Sequence, residues 1–147
     1  MTYYDWVESL EQLKTGPRND SLLDTLYNNN IELVGNILYR FIIHINDVIR
    51  TRLKNALDGI LLKMSTIYND LNSLSLEVIN IKKEIAFAKK IINLPSIPEE
   101  NKKKFKETLQ RFADEINEAL EKSLTGFDTT GEAIIMIKNS KINILED

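Results

Sequence analysis

Residues 53–92 read LKNALDGILL KMSTIYNDLN SLSLEVINIK KEIAFAKKII. Apolar side chains recur there in an unbroken alternation of four- and three-residue steps: Leu53, Leu57, Ile60, Met64, Ile67, Leu71, Leu74, Val78, Ile81, Ile85, Ala88 and Ile92. That spacing keeps one stripe of an α-helix apolar, whereas a half-buried strand would alternate every second residue. With the four-residue steps taken as d to a, Leu57, Met64, Leu71, Val78, Ile85 and Ile92 fall at a, and Leu53, Ile60, Ile67, Leu74, Ile81 and Ala88 at d. Every core position is apolar, which is the pattern of a coiled-coil seam.

Working upstream, Ile31, Val34, Leu38, Phe41, Ile45 and Ile49 join this stripe through successive four-residue steps, a stutter that locally unwinds a supercoil. A strict heptad would instead put Asn46 on the seam and leave an amide to satisfy in an apolar core, so the stutter is preferred. A continuous helix over 31–92 would be roughly 93 Å long at 1.5 Å per residue. A compact domain of this size is only about 40 Å across. The sequence therefore predicts either a rod or a break, and the cluster of weak helix formers Asn69, Asp70, Asn72, Ser73 and Ser75 marks where a break would fall. Because the heptad phase passes through that cluster unchanged, the expectation is one long central helix in an elongated, oligomeric, all-α bundle.

The flanks complete a single helical domain over 1–147. Residues 1–30 predict two short helices: one carries Tyr3, Trp6, Val7, Leu10 and Leu13 and stops at Gly16-Pro17, and the next is capped by Asp20, carries Leu22, Leu23 and Leu26, and ends in Asn28-Asn29-Asn30. Ser96-Ile97-Pro98-Glu99 reads as a capping box opening an antiparallel helix over 97–124, with Phe105, Leu109, Phe112, Ile116, Ala119 and Leu120 on one stripe. A last helix is expected over 129–145, although its β-branched residues would also suit a hairpin.

Composition narrows the chemistry. There is no cysteine, which removes disulfides, thiolate metal sites and thiol catalysis together and fits a reducing, cytoplasmic setting. The first residues carry acidic Asp5 where a signal peptide is positive, and the longest apolar runs, Phe41 to Ile43 and Ala133 to Ile137, cannot span a bilayer. No membrane partner is expected. The chain holds 20 Ile, 15 Asn and 14 Lys against 5 Arg, a bias of AT-rich genomes that points to a bacterial or phage source.

Charge is uneven along the chain. Residues 1–35 carry 2 positive and 6 negative charges, net −4; residues 36–110 carry 13 and 8, net +5; residues 111–147 carry 4 and 8, net −4. Acidic outer helices lying on a basic central one explain this most simply, and a basic face for nucleic acid is the competing explanation.

No motif for catalysis or cofactor binding emerges. His44 is the only histidine, no Glu-x-x-His pair occurs, and no glycine-rich phosphate cradle is present. Asp114, Glu115, Glu118 and Glu121 cluster without an Asp-rich loop, as on a solvated helix face. No cofactor or metal is expected, and the chain reads as a non-enzymatic oligomerisation or adaptor protein that acts through protein–protein contacts with itself and with an unidentified protein. The alternative is a dimeric nucleic-acid-binding regulator using Arg50, Arg52, Lys54, Lys82, Lys83, Lys89 and Lys90.

In the oligomeric reading the seam from Leu57 through Ile60, Met64, Ile67, Leu71, Leu74, Val78 and Ile81 to Ile85 pairs with a second chain. Asp70, Glu77 and Glu84 then sit at g and Lys82 and Lys89 at e. A parallel pair would place Glu77 against a partner Lys82 and Glu84 against a partner Lys89.

Overall fold

The computed structural model describes residues 2–29, 31, 33–65 and 71–124; within those helices the side chains of residues 60, 61, 63–65, 71–75, 120 and 122–124 are outside the description. Five helices are formed among the described residues: α1 (Tyr3–Thr15), α2 (Asp20–Asn28), α3 (Gly35–Ser65), α4 (Leu71–Ile92) and α5 (Glu99–Leu124). Among the described residues there is no strand, and they form an all-α bundle.

Local chemistry accounts for the helix ends. Thr2 and Asp5 form a reciprocal capping box, Asp5 N–H donating to Thr2 Oγ1 at 3.3 Å and Thr2 N–H to Asp5 Oδ2 at 2.8 Å. The helix α1 closes where Gly16 N–H donates to the Gln12 carbonyl at 3.0 Å. A Cβ at position 16 would lie 2.6 Å from that carbonyl oxygen, so any other residue there must displace backbone. The cap of α2 is Asn19, one residue before the expected Asp20: its Oδ1 accepts from Leu22 N–H at 2.9 Å, while Asp20 becomes the first helical residue. Gly35 opens α3 with a φ of 60°, in the left-handed region.

The predicted central helix over 31–92 is divided in the structure. Its upstream part is α3, which begins at Gly35 rather than Ile31, and its downstream part is α4. In one straight helix Arg52 and Glu84 would stand roughly 48 Å apart at 1.5 Å per residue. They are instead hydrogen-bonded at 2.9 and 3.0 Å, and Gly59 faces Glu77, so α3 and α4 lie side by side and antiparallel. Folding back lets one chain bury the described part of the stripe, Leu53 of α3 and Val78, Ile81, Ile85, Ala88 and Ile92 of α4, and so removes that apolar surface from water. Unbroken heptad phase does not distinguish the two cases, because both halves must turn the same stripe toward one core.

Around this pair the core gathers Trp6, Leu10 and Leu13 of α1, Leu23 and Leu26 of α2, Phe41, Ile45, Val48, Ile49 and Leu53 of α3, Val78, Ile81, Ile85, Ala88, Ile91 and Ile92 of α4, and Phe105, Leu109, Ala113 and Ile116 of α5. Trp6 meets Phe41 edge to face with centroids 5.5 Å apart. Lys14 with Asp47 at 2.6 Å, and Glu11 near His44 at 4.0 Å, keep the same numerical offset, so α1 runs parallel to α3. The 93–98 turn is tied to the segment after α2 by the Ser96 hydroxyl, which donates to the Ile31 carbonyl at 3.2 Å. On α5 the expected stripe is buried at Phe105, Leu109, Ile116 and Ala119 and half-buried at Phe112. The predicted helix over 129–145 lies outside the described residues.

No described helix is long and apolar enough to cross a membrane.

Candidate functional site

Among the described residues, a knot of three charged side chains forms where the end of α1 meets α3 and α4. Arg52 is buried, with 7% of its surface exposed. Its Nε and Nη2 donate to the two oxygens of Glu84, and its Nη1 donates to the carbonyls of Leu13 at 2.6 Å and Gly16 at 2.8 Å. Those two carbonyls belong to the end of α1, where unpaired acceptors accumulate and a cation is favoured. The guanidinium also lies 5.0 Å from the Phe87 ring centroid. Arg18, from the turn before α2, adds donors to Glu84 Oε1 at 2.8 Å and Asn80 Oδ1 at 2.9 Å. One carboxylate thus holds two guanidiniums and joins the N-terminal helices to the α3–α4 pair.

Two cavities of about 240 Å³ flank the knot. The first is bounded by Lys14, Gly16, Arg52, Asn55, Glu77 and Asn80. The second, between the turn before α2 and the outer side of α4, is bounded by Arg18, Asp20, Lys83, Ala86, Phe87 and Lys90. Nearby, the hydrogen bond to Asp47 raises the pKa of the Lys14 ammonium. Burial raises that of the Tyr27 phenol, whose hydroxyl donates to the Lys90 carbonyl.

Val78, Ile81 and Ile85 are buried in the chain's own core and Leu57 is half-buried, while the side chains of Ile60, Met64, Ile67, Leu71 and Leu74 are outside the description. Glu84 faces Arg52 and Arg18 of its own chain, which takes up the carboxylate assigned to a partner Lys89. Glu77 borders the first cavity, Lys82 is exposed and Lys89 is half-buried. His44 is half-buried on α3, and Asp114, Glu115, Glu118 and Glu121 lie exposed along α5. Among the described residues no three His, Asp or Glu side chains converge as metal ligands.

The knot itself is not legible in the sequence. In the sequence Arg52 is one of several basic residues of the central helix, and Glu84 falls at a position that would face a second chain. Adjacency to the seam residue Leu53 carries no signal, because Lys54 adjoins it equally and is exposed. No protein-family model, curated protein or solved structure matches the chain.

Proposed function

We propose that the chain is a non-enzymatic helical adaptor acting through protein–protein contacts, self-association included. The observation that carries this reading is a set of large apolar side chains turned to solvent. On α3, Tyr39 and Ile43 stand one turn apart and are 69% and 50% exposed; on α4, Leu76 and Ile79 are 68% and 45% exposed. Pairs at three- and four-residue spacing present adjacent apolar surface on a helix, the form in which a helical face recognises another helix or groove. Because Val78, Ile81 and Ile85 are buried within the chain, self-association is assigned to these outer faces. The absence of cysteine fits a cytoplasmic setting for such a protein.

A second reading, nucleic-acid binding, draws on Lys82, Lys83 and Lys90, all exposed on the outer side of α4. The two separate by experiment. A photo-crosslinking residue placed at Tyr39 or Leu76 should capture one discrete protein, or a second copy of this chain, with a yield insensitive to salt. Absence of crosslinks at both positions, together with DNA or RNA binding that collapses steeply with salt, would replace the adaptor reading by the nucleic-acid one.

A further inference from the structure

Charge accounting around the first cavity leaves one group unspent. Glu84 is held by Arg52 and Arg18, and Lys14 by Asp47. Glu77, half-buried in the same wall, has no cation within ion-pair distance among the described residues. Its position is built rather than incidental. A Cβ on Gly59 would lie 3.1 Å from Glu77 Oε1, so the glycine lets the carboxylate lie against the α3 backbone. Asn80 and Asn55 border the same cavity, and although Asn80 Oδ1 accepts from Arg18, an amide oxygen has a second lone pair to offer.

We propose that this cavity receives the guanidinium of an arginine side chain from a partner protein, clamped by Glu77 and accepted laterally by the Asn55 and Asn80 amides. A carboxylate matches a guanidinium fork in plane and spacing. The arginine leaves Glu84 undisturbed, because that carboxylate already carries both of its guanidiniums. The identity of the donor as a protein rests on the adaptor reading; the cation preference of the cavity does not.

The test uses the full chain, labelled with ¹⁵N, and N-acetyl-L-argininamide as probe, with the uncharged citrulline analogue as its control at equal ionic strength. Saturable amide shifts confined to Gly16, Gly59, Glu77 and Asn80 are expected with the arginine probe and not with citrulline. Glu77→Gln should weaken binding at least tenfold. Asn55→Lys, at an exposed position, should do the same by placing a cation at the mouth, and serves if Glu77→Gln fails to fold. Equal shifts from both probes, shifts led by the acidic face of α5, or binding unchanged in either folded variant would overturn the proposal. If the probe binds as expected and the photo-crosslinks at Tyr39 and Leu76 fail, the cavity stands and the adaptor reading alone is lost.

Discussion

The Arg52 guanidinium meets the Glu84 carboxylate fork to fork, Nε at 3.0 Å from Oε2 and Nη2 at 2.9 Å from Oε1. The two side chains are only 7% and 13% exposed, so neither charge can be left behind cheaply if the other is removed. Arg52→Met should destabilise the fold, though by less than the about 3–5 kcal/mol of a fully isolated buried charge, because Arg18 still pairs with Glu84, and Glu84→Met should act in the same direction by leaving the buried Arg52 without a carboxylate. Replacing both by Met should recover much of the loss, because the desolvation penalty goes with the pair. Urea unfolding of the two single variants and the double variant measures this; strictly additive losses would show that the two residues act separately.

Tyr27 gives the fold a sensitivity to alkali. Its hydroxyl donates to the Lys90 carbonyl, and burial raises its pKa above the ordinary 10.0. A folded pKa above the unfolded one means that the native state holds the proton longer. The contribution is therefore complete below pH 10 and is lost as pH rises through the folded value. Thermal melts across pH 9 to 12 should show a steeper decline for the natural protein than for Tyr27→Phe. Parallel profiles would assign the alkaline loss to other groups.

Two glycines separate steric from conformational cost. At Gly16 an added Cβ meets the Gln12 carbonyl at 2.6 Å, whereas at Gly35 nothing lies within 4 Å and only the φ of 60° opposes a side chain. Gly35→Ala should cost about 1–2 kcal/mol from the left-handed backbone alone. Gly16→Ala should cost about 1–3 kcal/mol through displacement of backbone, and it should also disturb the Gly16 carbonyl that Arg52 grips. Combining Gly16→Ala with Arg52→Met should therefore be less than additive, while Gly35→Ala with Arg52→Met should add; denaturant curves decide both.

Helix content and most core positions could be read from sequence because apolar periodicity and capping chemistry are local. Trp6, Leu10, Leu13, Phe105, Leu109 and Ile116 all lie in the core on the stripes expected of them. What periodicity cannot carry is the identity of the covering surface. Ile81 looks the same in sequence whether it faces a twin chain or α3 of its own. The pairing of Arg52 with Glu84 was hidden for the same reason: the two residues are 32 positions apart, and only the antiparallel return of α4 brings them together.

Reactivity at position 81 separates the two arrangements. Ile81 is fully buried, and its neighbours on the same stripe, Val78 and Ile85, are 1% and 4% exposed. A parallel homodimer through this stripe would require α4 to leave α3, breaking the Arg52–Glu84 contact and stripping the core of all three residues. Ile81→Cys should accordingly remain unmodified by a maleimide under native conditions and form no interchain disulfide on oxidation. Leu76→Cys, at a position 68% exposed, should react at once. Ile81→Ala should lose about 2–5 kcal/mol, the cost of an internal cavity, with no dependence on protein concentration. A rapid interchain disulfide at position 81, or a stability loss that diminishes as protein concentration rises, would return the seam to the dimer interface first drawn from its heptads.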